Sequence, residues 1–251
     1  MSEQFTIATF YEFVPLESLS KLKESLLELM AEHEVSGTII VADEGFNSTV
    51  SGKQANLDKF LSRVFKLFGA NPKVNFSTHD SPGFKRSKVK IKKEIVTLKK
   101  KVNMEFARGT HVSPSEWNKI ILEPGTIVVD ARNDYEYRIG TFKGARNPET
   151  ESFSELPDYF EDRDPQTPIA MFCTGGIRCE KLAPYLVEKG FANVYQLEGG
   201  ILQYLADTDS SESLWVGDCF VFDDRIAVDQ DLNKGSSVDF STEKELSRKK
   251  Q

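Results

Sequence analysis

Apolar residues recur at helical spacing in two stretches of the first third of the chain. Between Leu16 and Glu34, the residues Leu19, Leu22, Leu26, Leu27, Leu29 and Met30 fall near one face. From Gln54 to Phe68 the inward set is Leu57, Phe60, Leu61, Val64, Phe65 and Phe68. Around these helices lie short aromatic and β-branched runs that read as strands: Phe5–Val14, Thr38–Val41, Ser48–Ser51 and Lys73–Ser77. Gly37 stops the first helix, and Asp43–Asn47 has the chemistry of a turn. The order β-α-β-β-α-β over roughly residues 1–80 predicts a ferredoxin-like domain.

The second half alternates differently. Ser113, Pro114 and Glu116 predict a helix start with a capping box, and Trp117, Ile120, Ile121 and Leu122 are expected to form its buried face. Thr126–Arg132 reads as a strand ending in charge, Asn133–Gly144 as a polar, turn-rich stretch, and Phe153–Phe160 as a short helix. Thr167–Phe172 and Val194–Leu197 read as buried strands, each followed by a helical segment, Cys179–Lys189 and Ile201–Ala206. Strands alternating with helices predict an α/β domain on a central parallel sheet. The overall class is thus α+β followed by α/β. The expected division is a ferredoxin-like domain over 1–105, carrying a basic strand segment at 85–101, then an α/β domain over 106–228. From Asp229 to Gln251 the chain is rich in serine and charge, and reads as a loosely held tail. Pro184 falls inside the helix over Cys179–Lys189, where it removes a backbone donor.

Composition narrows the class. Hydrophobic residues make up 39% and charged residues 28% of 251 positions, the profile of a globular protein. No apolar run reaches membrane-spanning length, and Met1–Thr6 lacks the pattern of a signal peptide, so a cytoplasmic protein without a membrane partner is expected. Three cysteines do not make a disulfide framework. His33, His79 and His111 are widely separated and read as ordinary polar residues; no metal site is expected. The sequence leaves the oligomeric state open.

Charge changes the picture further. The net charge is −7, yet Lys85–Arg108 holds ten basic residues against two acidic ones, a local +8 that leaves −15 on the remainder. In Lys88-Val-Lys-Ile-Lys92 the lysines alternate with apolar residues. A strand there would put the lysines on one face and Val89 and Ile91 on the other. Lys85, Arg86, Lys88, Lys90, Lys92 and Lys93 are the candidate nucleic-acid-binding residues, with Phe84 and Phe106 as flanking aromatics. Ile95–Leu98 would extend or return the strand. An edge strand protected by lysine explains the same pattern without any nucleic acid.

The candidate chemistry is concentrated at Cys173-Thr-Gly-Gly-Ile-Arg-Cys179. Cys173 sits where a buried strand ends, and Gly175 and Gly176 permit a sharp bend into the next helix. Amides of Thr174, Gly175, Gly176, Ile177 and Arg178 would point inward at a helix N-terminus, and Arg178 adds a fixed positive charge. Such a nest favours a thiolate, so Cys173 is the candidate catalytic residue rather than a merely buried apolar one. Asp130, Arg132 and Cys173 all lie at strand ends, where catalytic groups of parallel sheets gather. Cys179 is either a resolving thiol or, as the bland reading prefers, a packing residue in the first helical turn. Cys219, in an apolar stretch, reads as structural.

Asp130–Glu136, Ile139–Gly144, Cys173–Lys181 and Phe220–Arg225 resemble the bacterial tRNA uridine hydroxylase (TrhO/YceA) family. Ala42–Gly52 and Ala107–Val112 are similar to that family as well. The second half, with Val128–Arg132, Gly140–Ala145 and Leu197–Gly200, looks like a rhodanese domain. The resemblance implies oxygen-dependent hydroxylation at C5 of the wobble uridine, with tRNA as partner and molecular oxygen as co-substrate. It implies Cys173 as a persulfide-forming thiol, and no other cofactor is evident. Thiolate addition to C6 of the uracil and a persulfide or peroxidic sulfur species both remain open as routes. A plain sulfurtransferase is the alternative function. A phosphatase-like activity fits less well, because Cys173 and Arg178 are spaced Cys-x4-Arg, which makes a tighter nest than Cys-x5-Arg. A non-enzymatic module would not need the retained cysteine.

Overall fold

The computed structural model describes residues 4–237, in two compact units. Among the described residues the first takes in 4–105 and Phe222–Asp224, and the second Phe106–Val221 and 225–237.

The first unit contains β1 (Phe5–Phe13), α1 (Leu19–Glu32), β2 (Ser36–Ala42), β3 (Gly45–Gly52), α2 (Gln54–Phe68), β4 (Val74–His79) and β5 (Ser87–Ile91). The sheet order is β4-β1-β3-β2-β5. β1 pairs antiparallel with β3 and β4, and β2 pairs antiparallel with β3 through a tight hairpin that sets Ala42 opposite Gly45. These four strands with their two helices form the ferredoxin-like βαββαβ arrangement. The apolar faces of both helices close one core. Leu22, Leu26 and Met30 meet Leu57, Phe60 and Val64 over Ile39, Val41, Phe46 and Val50.

The basic segment adds a fifth strand. β5 pairs parallel with β2, Thr38 opposite Lys88 and Ile40 opposite Lys90, and takes the sheet's edge. Val89 enters the core, while Lys88 and Lys90 face outward with Lys85, Arg86, Lys92 and Lys93 also exposed. Two expectations need correction. Ile91 is 43% exposed instead of sharing Val89's burial, because the strand ends there. Residues 95–98 form no strand; Ile95 and Leu98 are buried by a loop pinned through carboxylates. Glu44 accepts from the Ile95 amide (2.8 Å) and Glu94 from the Leu98 amide (3.0 Å).

The second unit contains β6 (Thr110–Val112), α3 (Pro114–Leu122), β7 (Ile127–Asp130), α4 (Asp134–Ile139), β8 (Gly140–Phe142), a 3-10 helix (Phe153–Phe160), β9 (Ile169–Phe172), α5 (Ile177–Glu188), β10 (Val194–Leu197), α6 (Gly200–Asp207), β11 (Trp215–Gly217), β12 (Cys219–Phe220) and β13 (Ala227–Val228). Its main sheet is parallel, in the order β6-β10-β9-β7. β9 is central and wholly buried, as its unbroken apolar run requires. An aromatic cluster supports it: Phe142 meets Phe172, Tyr204 and Trp215 edge-on at 4.8, 4.7 and 5.2 Å between ring centroids. At the start of α3 the expected capping box is replaced. Ser113 donates to the Glu116 carboxylate (2.9 Å), and its side chain caps no backbone amide.

Residues 229–237, placed by sequence in the tail, are tied back. Asp218 Oδ2 accepts from the Ser236 and Ser237 amides, and the Gly235 amide donates to Ala227. The rest of that expected tail, 238–251, lies outside the described residues. Among the described residues no helix is long and apolar enough to cross a membrane.

Candidate active site at the Cys173 loop

Cys173 is the first residue after β9, and α5 begins four residues later at Ile177. The reversal between them requires Gly176, the residue before the helix, at φ 98°. The start of α6 fixes the loop from below. The Ile201 amide donates to the Cys173 carbonyl (3.0 Å) and the Leu202 amide to that of Thr174 (3.1 Å). Gly200 makes this approach possible. A Cβ there would lie 2.5 Å from the Cys173 oxygen and 2.7 Å from the Thr174 oxygen and the Gly176 nitrogen. The glycines of Leu197–Gly200 and of Cys173–Gly176 therefore serve one packed junction.

The sulfur lies inside this turn, and Cys173 is only 1% exposed. The Gly176 amide donates to its Sγ at 3.2 Å. The amides of Arg178 and Cys179 and the Cys179 thiol donate to it as well. Burial pushes the Cys173 thiol up. The Cys179 hydrogen bond, the Arg178 charge and the two further amides outweigh that and bring it from 9.0 down to about 6. Cys173 is thus mostly thiolate near neutrality, the nucleophilic form of sulfur. Burial, with the neighbouring thiolate, pushes Cys179 well above 9.0, so it keeps its proton and acts as donor.

Arg178 is held by a partner that sequence reading did not single out. Its guanidinium makes a two-pronged pair with Glu136 of α4, Nη1 to Oε2 at 2.8 Å and Nη2 to Oε1 at 2.9 Å. Glu136 is completely buried and also accepts from the Asn133 amide (3.1 Å). Burial raises its carboxyl; Arg178 more than reverses this and keeps it ionised. Thr174 adds a long contact to Glu136 (3.4 Å). A buried arginine demands a counter-charge, and Asp130–Glu136 was the stretch in which to seek it.

Asp130 and Arg132, expected as supporting residues, stand at the neighbouring strand end, with Asp130 opposite Phe172 in the sheet. They pair with each other, Nε to Oδ1 at 2.8 Å and Nη2 to Oδ2 at 2.7 Å, both 1% exposed. Thr141 donates to Asp130, Arg132 donates to the Gly140 carbonyl, and the guanidinium lies over Trp215. This pair braces the strand end beside the site. Cys219 is buried and pushed up to about 12 by that burial, which suits a structural thiol. His111, read as an ordinary polar residue, instead contacts Glu180 of α5 at 2.8 Å, and Arg108 reaches the same carboxylate at 2.8 Å. The hydrogen bond that His111 donates to the Glu180 carboxylate raises it above 6.5, against its partial burial. The signal for it was the Ala107–Val112 stretch. No group of three or more metal-ligating side chains occurs among the described residues.

A parallel α/β unit whose central strand delivers a cysteine into a nest of amides defines a rhodanese-like domain, and residues 113–207 match the model of the Rhodanese-like domain. Residues 5–95 match the UPF0176 acylphosphatase like domain. The chain therefore joins a UPF0176-type acylphosphatase-like domain to a rhodanese-like domain. Among solved structures it is similar to a rhodanese-like domain protein from Staphylococcus aureus, at 23% identity over 38% of this chain and 90% of that one, TM-score 0.33. A rhodanese-related protein from Thermoplasma volcanium matches at 20% identity over 43% and 97%, TM-score 0.36. An acylphosphatase from Coxiella burnetii matches at 12% identity over 35% and 94%, TM-score 0.28.

Proposed function

We propose that this protein modifies tRNA by hydroxylating C5 of the wobble uridine, with molecular oxygen as co-substrate and Cys173 as the reacting, persulfide-forming sulfur. The observation that carries the reading is the thiolate nest at Cys173. It supplies a sulfur nucleophile near neutral pH, steadied by amides and by Arg178. The exposed row of Lys85, Arg86, Lys88, Lys90, Lys92 and Lys93 supports a polyanionic substrate, since lysines on a strand edge pair with backbone phosphates. The anticodon loop presents bases that are readily splayed into an enzyme. The resemblance of Asp130–Glu136, Ile139–Gly144 and Cys173–Lys181 to tRNA uridine hydroxylases supports the uridine and the oxygen in this reading. One oxygen atom enters at C5 and the other leaves as water, with two electrons and two protons drawn from a reductant. The test is nucleoside mass spectrometry of tRNA from a strain lacking this gene, complemented with wild type or Cys173→Ser. Wobble hydroxyuridine should fall on deletion and return, in air, with wild type alone. Unchanged hydroxyuridine in the deletion strain would contradict the reading.

The second reading is sulfur transfer from thiosulfate or a protein donor. The rhodanese-like match and the nest favour it without any help from the basic edge. Rapid thiosulfate:cyanide turnover with no affinity for tRNA would select it.

A further inference from the structure

Cys179 is a buried thiol beside the reacting sulfur, and beyond its hydrogen bond in the nest neither function above gives it a chemical role. We propose that Cys179 is the resolving residue of the site: it discharges sulfur from a Cys173 persulfide by forming a Cys173–Cys179 disulfide. The inference rests on Cys173 carrying a persulfide, as the proposed function has it.

Three observations carry it. The two cysteines are unbonded to any other sulfur, and both are buried, Cys173 1% exposed and Cys179 not at all. The chain reversal brings them together: the Gly176 amide closes on Cys173 Sγ at 3.2 Å, and Cys179 follows three residues later in the first turn of α5, within hydrogen-bonding reach of that sulfur. The turn that brings them together is held at several points. Its carbonyls are held by the α6 amides, and Arg178, between Gly176 and Cys179, is locked on Glu136. A thiol so placed needs only a small displacement to reach the bonding distance of about 2.05 Å.

The step balances without an added oxidant. Thiosulfate first gives Cys173-S-S⁻ and releases sulfite. Cys179 Sγ then attacks Cys173 Sγ, and the bond between that sulfur and the terminal one breaks. The terminal sulfur leaves with the bonding pair and the Cys179 proton as HS⁻. The sulfane sulfur is reduced to sulfide while the two cysteines are oxidised to a disulfide. Two equivalents of an external thiol then restore the dithiol and are themselves oxidised.

The experiment loads the full chain with thiosulfate, removes the excess and follows intact mass under non-reducing acid quench, with sulfide measured in parallel. Wild type should gain about 32 Da as the persulfide and then fall about 2 Da below its starting mass, with one equivalent of sulfide released. Trypsin cuts after Arg178 and so separates the two cysteines, which makes their bond visible as a cross-linked peptide pair. Cys179→Ser and Cys179→Ala should hold the added sulfur at least ten-fold longer and release no sulfide on that timescale; either variant suffices if the other does not fold. Cys219→Ser should behave as wild type. A wild-type adduct as long-lived as in the variants, with no cross-linked pair, overturns the inference while leaving the persulfide standing. No adduct in wild type or in the variants overturns the persulfide reading and the inference together.

Discussion

The charge at Cys173 is decided by a few atoms. Burial alone would make a thiol at the end of β9 inert, as it does Cys219. Three directed N–H groups, a thiol donor and one guanidinium reverse the balance. Glu136 makes this durable, because an unpaired guanidinium could not stay at 7% exposure. Glu136→Gln breaks the two-pronged pair and removes the buried carboxylate that holds Arg178. Unfolding in urea should show a loss of about 3–5 kcal/mol, the range for a broken buried pair. A change below about 1 kcal/mol would mean that Arg178 finds another partner. The sequence made Cys173 and Arg178 legible through glycine placement and spacing. It did not expose Glu136, since a carboxylate in the first turn of a helix looks like ordinary dipole complementation.

At the scale of elements, the strand ends and helix starts carry the site. The strands and helices that hold β9, α5, β10 and α6 could be read from apolar runs closed by glycine. What could not be read is that α6 packs on the Cys173 loop, because contact between segments far apart in sequence leaves no local pattern. Gly200 is where that contact is tightest, at φ 68° with three backbone atoms within 2.7 Å of any added Cβ. Gly200→Ala should therefore destabilise the protein by about 1–3 kcal/mol through strain and overpacking. It should also slow Cys173 alkylation by displacing the loop that holds the sulfur. Denaturant midpoints together with thiol reaction rates check both, and a wild-type alkylation rate in a folded variant would separate the loop from α6. Residues 95–98 mark another limit of sequence pattern. β-branched residues suggested a strand, but Glu44 and Glu94 hold those amides in a loop.

Across the molecule, charge is segregated: a basic stretch on an acidic chain, displayed from the sheet edge of the first unit. Alternation along β5 was readable from the sequence. The parallel pairing of β5 with β2, which extends the ferredoxin-like sheet to five strands, was not, because the pattern of one strand does not name its neighbour. Lys88 and Lys90 project from that edge while Val89 anchors it, so the lysines can be replaced without disturbing the core. Lys88→Ala combined with Lys90→Ala should weaken tRNA binding. It should also reduce the slope of log affinity against log salt by about 1.4–1.8, as expected for two lost phosphate contacts. Melting temperature should stay near wild type. An unaltered salt slope would assign the lysines to edge protection instead.

Everything chemical depends on the ionisation of one sulfur. The most direct measurement is a pH titration of thiolate ultraviolet absorbance in wild type and in Cys173→Ser. A step near pH 6 in wild type, missing from the variant, is the predicted result. If wild type shows no step below the ordinary thiol range near 8.5–9, the nest does not ionise Cys173 and the chemistry assigned to it is contradicted.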